Sequence, residues 1–388
     1  MQEAQSEEST EGQQGEPQHQ DSLRSSHTAS FPQILDQIQS SVMVTTYQAG
    51  KLVVLRNDAG VLNTHFRNLS KPMGLACEGG RLAIGCSVDI WEYHNVPAVC
   101  QKLNDSDDYP AKQAKHDVCF LPRRSHCTGD IQIHEMAWSN LNDVQSGQRE
   151  LIFVNTAFSC LAVRSEENSF EPIWQPSFVK QLKPGDSCHL NGLAMREGKA
   201  AFVTALGETD EPGKWRENKR DGGILIDVES KEIVARGLSM PHSPRWYNNK
   251  LWVLESGEGT IGTVDLATGN YESIAQFPGF TRGLSFYGPL AFVGLSQVRE
   301  SAVFSGIPLV ERLKEAEDRT CGVWVLNIET GETLGFCRFE EGVQEIFAVE
   351  AMAGMRFPDL VNHDPKIVGS AYVLSDEALS SVPDDLKA

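Results

Sequence analysis

The stretch "PHSPRWYNNKLWVLESGEG" at residues 241–259 places His242 ahead of a short apolar strand, a polar turn and a second, more apolar strand. Five other segments of the chain have the same shape, and they begin at Pro72, His134, His189, Thr281 and Gln344. Spacings of 61, 55, 53, 40 and 63 residues separate the corresponding positions Met73, His134, His189, His242, Arg282 and Glu345. Repeats of this length that hold several strands are typical of β-propeller blades.

The second half of the repeat supports the same interpretation. Three later segments, "GILIDVESKEIVA", "GTVDLATGNYESI" and "GVWVLNIETGETLGF", each read as two alternating strands joined by a polar turn. One strand of the last unit lies near the C-terminus, and about three unassigned strands lie near the N-terminus. Joining them in one shared blade removes exposed sheet edges. We therefore predict an all-β fold, a six-bladed β-propeller closed by N- and C-terminal strands sharing one blade, with a seven-bladed ring or a two-sheet sandwich as alternatives.

Composition limits the domain organisation and the partners. Residues 1–30 are rich in Gln, Glu and Ser and are predicted to be a disordered acidic tail, residues 31–375 a single propeller domain, and residues 376–388 a flexible C-terminal tail. A net charge of -19 argues against nucleic acid and anionic membranes as partners. The chain begins with neither a basic nor an apolar leader segment, and its nine cysteines have no disulfide-framework spacing, which favours a cytoplasmic protein.

Three histidines occupy corresponding places in three consecutive repeats. The inner strands of a propeller run in the same direction along the central channel, so their first residues form a ring around one mouth. His134 and His242 lie at this ring, and His189 lies one residue out of phase, which a short bulge would correct. Three converging imidazoles with an open position are typical of a zinc-type catalytic site. A polar channel without metal, or separate structural roles for the histidines, are the alternatives.

A second set of candidate ligands alternates with the histidines. Glu135, Asn191 and Glu345 would offer hard oxygen atoms suited to calcium, and only one of the two sets is expected to face the channel. A divalent ion of the zinc type is favoured over calcium. Arg282 needs an anionic partner near the axis, which is Glu345, Glu135 or the carboxylate of a ligand.

Three long insertions are predicted to cover the same mouth, and they begin at Glu92, Gly207 and Gln297. The second insertion concentrates basic and aromatic side chains in an acidic protein, among them Trp215 and Arg216, so it is a candidate for holding an anionic ligand. A solvated charge run is the alternative. Arg245 in "HSPRW" and Asn191 are further candidate ligand-binding residues.

The segments "HEMAW", "HLNGLAM", "PHSPRWYNNKLWVLESGEG", "FPGFTRGLSF" and "VQEIFAV" resemble those of a bacterial family of conserved hypothetical proteins that share a domain of unknown function. The resemblance covers about residues 31–362. It implies a propeller, in some members joined to tetratricopeptide repeats, and supplies no activity.

Two classes of function remain open. The first is a metal-dependent lyase or hydrolase acting on a small or peptide-like carboxylate, similar in its layout to peptidyl-amidoglycolate lyases. His134, His189 and His242 would hold the ion. Arg282 would orient the anion, and Glu345 or Glu135 would act as acid or base. The second class is a non-catalytic propeller scaffold that binds a protein or peptide.

Overall fold

The structure is a computed structural model that describes residues 23–104, 115–142, 149–298, 305–313, 320–362 and 364–387. Six small antiparallel sheets form a ring, which confirms the predicted six-bladed propeller. In each blade, four strands follow one another from the central channel outward. Among the described residues, no helix is both long and apolar enough to cross a membrane.

The first three blades are formed by consecutive strands. Blade 1 contains β5 (Leu75–Glu78), β6 (Arg81–Gly85), β7 (Asp89–Asn95) and β8 (Val118–Cys127). Blade 2 contains β9 (Ile133–Asn142), β10 (Arg149–Asn155), β11 (Cys160–Val163) and β12 (Glu171–Trp174). Blade 3 contains β13 (Leu190–Arg196), β14 (Lys199–Ala205), β15 (Gly223–Asp227) and β16 (Ile233–Leu238).

The remaining blades complete the ring. Blade 4 contains β17 (Pro241–Tyr247), β18 (Lys250–Glu255), β19 (Thr260–Val264) and β20 (Tyr271–Gln276). Blade 5 contains β21 (Phe280–Tyr287), β22 (Leu290–Ser296), β23 (Cys321–Asn327) and β24 (Thr333–Phe339). Blade 6 joins β25 (Val349–Met352) from the C-terminal part to β2 (Ser41–Thr46), β3 (Lys51–Asp58) and β4 (Val61–Asn68). The two ends of the chain therefore share one blade, as the sequence predicts.

Both terminal segments extend the ring. The predicted tail at residues 1–30 lies mostly outside the described residues, but its last part contains β1 (Ser25–His27), which pairs with β24 at the outer edge of blade 5. The described strands of the propeller therefore begin before residue 31. Helix α1 (Ser30–Gln37) follows and packs Phe31 and Leu35 into the core. β26 (Pro358–Leu360) adds a parallel strand to β8, so the outer edge of blade 1 is also covered.

The helices lie outside the sheets. They are α2 (Pro97–Asn104), α3 (Pro308–Arg312), α4 (Pro365–Val368) and α5 (Asp376–Ser380), with short 3₁₀ helices at Lys214–Glu217 and Asp384–Leu386. Residues 376–388, predicted to be flexible, thus contain two short helical turns whose described side chains are mostly exposed.

The structure corrects the placement of the first insertion. The segment from Glu92 begins within β7, and its helix α2 lies in the connection from β7 to β8. That connection opens at the end of the ring opposite the histidines. The insertions from Gly207 and Gln297 connect the second and third strands of blades 3 and 5, as predicted. The insertion from Gly207 and residues 305–313 of the insertion from Gln297 therefore lie over the mouth at which the inner strands begin, and residues 299–304 and 314–319 lie outside the described residues.

Apolar side chains from adjacent sheets form the core between blades. Between blades 2 and 3, for example, Ile152 and Val154 pack against Leu193 and Val203 in one cluster of buried side chains. Close approach of the inner strands needs small residues. A Cβ atom at Gly74 would lie 2.1 Å from the carbonyl oxygen of His134, so only glycine lets blade 1 approach blade 2 here.

Candidate functional site

A cavity of about 410 Å³ occupies the mouth of the channel at which the inner strands begin. Its floor is formed by the first residues of those strands, and its wall by the insertion that contains Trp215. All six equivalent repeat positions line it, and these are Met73, His134, His189, His242, Arg282 and Glu345. The sequence left open whether the three histidines or the alternating residues Glu135, Asn191 and Glu345 face the channel. In the structure all three histidines line this cavity, and Glu345 is the one residue of the alternating set that does.

His134 and His242 are held by the same local arrangement. In each case Nδ1 donates a hydrogen bond to the carbonyl oxygen of the residue two positions earlier, at 2.8 Å for Gln132 and 2.9 Å for Met240. Those two residues have φ of 50° and 47°, in the left-handed region that non-glycine residues seldom adopt. Strained backbone of this kind persists where the surrounding structure enforces it, often at functional sites.

A hydroxyl group from the second strand's end completes each arrangement. Thr156 Oγ1 lies 2.7 Å from His134 Nδ1 and donates to the carbonyl of Leu190 at 2.6 Å. Ser256 Oγ lies 3.1 Å from His242 Nδ1 and donates to the carbonyl of the next blade's first strand at 2.5 Å. Because each hydroxyl proton is directed to a carbonyl, the hydroxyl oxygen accepts from the imidazole. Both rings therefore carry their proton on Nδ1 and leave Nε2 as an acceptor.

His189 reaches the same cavity by a different backbone route. It precedes β13, and its own φ of 51° corrects the one-residue phase difference that the sequence shows. Its Nδ1 lies 3.0 Å from both carboxylate oxygens of Asp186, which can only accept. Trp215 packs on the imidazole with a centroid distance of 4.4 Å and donates its indole N–H to Asp186 at 3.0 Å. Arg216 also pairs with this carboxylate, at 3.3 Å.

The two buried histidines are neutral. Burial, with a further contribution from the nearby Arg282 cation, holds the pKa of both His134 and His242 well below the usual value. A neutral imidazole with its proton on Nδ1 has a lone pair on Nε2. His134 Nε2 is buried and has no hydrogen-bond partner in the described part of the chain. Such an orphaned acceptor at a cavity wall is an unusual and costly feature of a folded protein.

Arg282 is the one arginine or lysine among the six repeat positions of this ring, all of which are described. Its guanidinium carbon lies 3.7 Å from the centre of the Phe347 ring, and it forms no hydrogen bond or ion pair with the residues that the structure describes. Burial lowers the pKa of Arg282 to about 10, although the carboxylates of Glu345 and Glu135 oppose this shift. The side chain is therefore a cation at neutral pH, with part of its surface open to the cavity.

Three predicted site residues lie elsewhere. Glu135 forms an ion pair with Arg245 deeper in the channel, and neither residue lines the histidine cavity. Asn191 is buried between blades, where it accepts from Thr204 at 2.7 Å and donates to the carbonyl of Pro241 at 3.1 Å. The predicted oxygen set for calcium therefore does not converge, since Glu345 alone of its three members reaches the cavity.

The histidines are close but not arranged around one point. The rings of His134 and His189 meet edge to face with a centroid distance of 5.0 Å. Within the described ranges, no group of three or more His, Cys, Asp or Glu side chains is placed so that it could hold a metal ion. The Nδ1 partners, in contrast, are those that metal-binding histidines commonly have, namely backbone carbonyls and a carboxylate.

Sequence reasoning missed the residues that orient the histidines. Gln132, Met240 and Asp186 precede the histidines by two or three positions and show no shared residue type. Thr156 and Ser256 did carry a signal, because both follow the second strand of a blade whose first strand begins at a histidine. A Thr or Ser directly after the second strand, in two repeats that begin with a histidine, is a sequence pattern that identifies Thr156 and Ser256 as partners of those histidines.

Comparisons with known proteins identify a family and no activity. The family model for a domain of unknown function, DUF4915, matches residues 29–361. No curated protein matches. The solved structures similar to this chain include a chain of a nidogen/laminin complex, with 8% identity, TM-score 0.48, and coverage of 81% of this chain and 99% of that chain. A Bacteroides caccae protein of unknown function has 9% identity, TM-score 0.45, and coverage of 81% and 98%.

Proposed function

We propose, from the premise that the chain belongs to the DUF4915 family, whose shared domain has no assigned function, that the histidine cavity binds a small or peptide-like molecule carrying a carboxylate. The observation that carries this proposal is Arg282, a cation directed at the cavity without an ion pair to any described residue. A guanidinium held in a low-dielectric site binds a carboxylate with two parallel hydrogen bonds.

The other cavity residues define what else the ligand would present. The Nε2 atoms of His134 and His242 are acceptors, so they favour N–H or O–H groups close to the carboxylate. Trp215 and Phe347 supply aromatic walls, and Arg216 lies at the rim. A cavity of about 410 Å³ accommodates a molecule the size of one or two amino acid residues.

Binding of N-acetylglycine tests the carboxylate proposal. Saturation-transfer NMR should detect millimolar binding to the full chain, and N-acetylglycinamide, which lacks the charge, should bind at least tenfold more weakly. Arg282→Gln should weaken binding of the acid at least tenfold, since a charge-assisted hydrogen bond is worth about 1.5–3 kcal/mol. The matched control is Arg236→Gln, because Arg236 is exposed and pairs with Glu208 outside the cavity.

The proposal fails if N-acetylglycine does not bind the wild-type chain, or if Arg282→Gln binds it as well as wild type. A wild-type chain that binds longer peptides or proteins and neither small probe would favour the alternative function, a non-catalytic scaffold.

A second candidate function is supported by the histidine tautomers. All three Nδ1 atoms are occupied by acceptors, so each Nε2 atom carries the lone pair with which a divalent ion of the zinc type would bind. The imidazole rings would have to rotate to converge on one ion. A bound ion would supply Lewis-acid chemistry for a lyase or hydrolase reaction on the carboxylate ligand. In that function Arg282 orients the anion and Glu345 is the acid or base beside it.

Elemental analysis of untagged protein purified without chelator tests this candidate. Near one equivalent of zinc, copper or iron should be present and should be lost in His134→Ala, His189→Ala and His242→Ala. His126→Ala is the control, because His126 bonds to the carbonyl of Ser169 away from the cavity. A metal-free wild type, or metal retained in all three variants, rejects the metal-dependent enzyme and leaves the carboxylate proposal intact.

A further inference from the structure

The other end of the channel contains a second cavity, of about 600 Å³, between the ends of the inner strands. It is independent of the histidine cavity, with which it shares no lining residue. Met136, Met195 and Trp246 form part of its apolar wall, and Glu350 and Arg245 provide charged groups. This cavity therefore combines apolar side chains with partly buried charged groups, and such a combination can hold a small molecule that has an apolar part and a charged part.

Arg245 has its charge balanced within the protein. Its guanidinium pairs with Glu135, and it also donates to the carbonyl oxygens of Pro244 and Leu284, each at 2.9 Å. A further contact to the carbonyl of Leu193 measures 3.3 Å. Since Glu135 and Arg245 neutralise each other, neither supplies a net charge to the cavity.

Glu350 is the unbalanced member of the group. It lies on β25, is half-buried, and has part of its surface on the cavity. Its carboxyl group makes no hydrogen bond or ion pair with any residue in the described ranges. The three groups Glu135, Arg245 and Glu350 therefore carry a net charge of about −1 when all are ionised, which is costly without a cation.

We propose that this opposite mouth binds a small organic ammonium ion, with the carboxylate of Glu350 accepting its N–H groups. The methionines and Trp246 would contact an alkyl chain attached to the nitrogen. A divalent metal fits less well, because no third carboxylate, histidine or cysteine of the described residues joins the two glutamates as a ligand set. An alkylammonium needs only one carboxylate and an apolar wall.

The ionisation of Glu350 gives the site a pH dependence. Burial, with a contribution from Glu135, raises the pKa of Glu350 to about 7, and Arg245 opposes the shift. The other titratable groups nearby are Cys77, whose thiol pKa is raised by burial and by Glu350, and Glu78, which pairs with Arg149. Because the ammonium binds the ionised carboxylate, its affinity should fall about tenfold for each pH unit below 7.

Titration with n-butylammonium chloride tests the proposal on the full chain. Saturation-transfer NMR should detect binding at pH 8.5 and a loss of at least tenfold in affinity at pH 5.5. The uncharged isostere n-butanol should bind at least tenfold more weakly at pH 8.5. Glu350→Gln should weaken n-butylammonium binding at least tenfold at pH 8.5 while preserving the circular dichroism spectrum.

Two control variants show whether binding depends on the Glu350 carboxylate in particular. Glu197→Gln removes an exposed carboxylate from the rim of the same cavity, and it should leave the affinity within twofold of wild type. Arg282→Gln should also leave the affinity for the amine unchanged, because Arg282 lines the histidine cavity and is not among the residues that line this one. The proposal is overturned if wild type does not bind the amine at pH 8.5, if Glu350→Gln binds it equally, or if affinity does not change with pH.

Discussion

Two regions of this propeller place an arginine over a phenylalanine ring beside histidines, and they differ in how the charges are balanced. Arg56 lies 3.9 Å from the ring centre of Phe357, near Asp359. Arg282 lies 3.7 Å from the ring centre of Phe347, in the histidine cavity. The residue types and ring contacts are the same. The polar contacts of the two guanidinium groups are not.

The Asp359 region satisfies its charges within the protein. Arg56 donates to Asn63 and to the carbonyl of Pro358, at 2.7–2.9 Å. The fully buried carboxylate of Asp359 accepts from His65 at 3.0 Å and from Arg67 at 2.8 Å. These contacts hold β26 against the blades on either side, so we interpret the region as structural.

The histidine cavity leaves polar groups without partners in the described part of the chain. Arg282 has only its aromatic contact, and His134 Nε2 is an orphaned acceptor. Folding alone does not favour such groups, since each costs free energy that a paired group would not. The pairing of a buried charge, more than its residue type, therefore separates a structural cluster from a candidate binding site.

The largest expected effect lies in the structural region. Asp359→Asn removes the carboxylate that His65 and Arg67 share, and should lower the free energy of unfolding by about 3–5 kcal/mol, as expected when one partner of a buried ion pair is lost. Urea denaturation at pH 7 measures the change. Although burial opposes it, the hydrogen bond from His65 and the nearby charges of Arg67 and Arg56 hold the pKa of Asp359 well below its usual value, so its contribution to stability is present above the unfolded pKa of about 3.9 and is lost as pH falls further.

Asp385→Asn is the control for this variant, because Asp385 lies on an exposed helical turn. It should change the free energy of unfolding by less than about 0.5 kcal/mol. A loss below about 1 kcal/mol for Asp359→Asn would contradict the structural interpretation and remove the contrast between the two regions.

A smaller effect should appear at the histidine cavity when pH falls. His134 and His242 have a pKa lowered by burial, so the unfolded state binds protons that the folded state does not. Their contribution to stability is complete above the unfolded pKa of about 6.5 and is lost below it. Each histidine should lower the free energy of unfolding by about 1 kcal/mol between pH 6.5 and 5.5, or about 2 kcal/mol for the two together, because half of the unfolded-state protonation is already present at pH 6.5.

Urea denaturation of wild type and of the double variant His134→Asn, His242→Asn across this pH range measures the histidine effect. Between pH 6.5 and 5.5 the double variant should lose about 2 kcal/mol less stability than wild type, whereas the control His126→Asn, whose side chain lies away from the cavity, should keep the wild-type slope. An unchanged slope in the double variant would show that these two histidines are not the neutral pair described above.

The sequence was sufficient to predict the ring of blades, because alternating strands and a repeat of 40 to 63 residues are properties of the chain itself. It also placed His134, His189 and His242 at one mouth. It could not decide between the histidines and the alternating set at Glu135, because that choice depends on left-handed backbone at Gln132 and Met240. Such conformations are imposed by packing, and the residue types at these positions do not indicate them.

The sequence also did not indicate which charged residues form ion pairs across the channel. Arg245 and Glu135 are 110 residues apart and belong to blades that are not adjacent, so their ion pair depends on the geometry of the closed ring. Arg282 was expected to pair with a glutamate or a ligand carboxylate, and the structure shows no such ion pair with a described glutamate. Because the partners are brought together only by ring closure, sequence could identify the cation and not its partner.

The smallest expected change in stability is that of Arg282→Gln, and it tests most directly whether the two regions differ in how their charges are balanced. Arg282→Gln removes a cation without breaking an ion pair to a described residue, so the free energy of unfolding at pH 7 should change by less than about 1 kcal/mol. The same variant should raise the pKa of His134 and His242, because the Arg282 charge contributes to lowering both. Urea denaturation and ¹H–¹⁵N NMR of the imidazoles against pH measure the two effects. If Arg282→Gln lowered the free energy of unfolding about as much as Asp359→Asn does, Arg282 would be a structural cation. Removing a charge has so large an effect only when that charge stabilises the folded state.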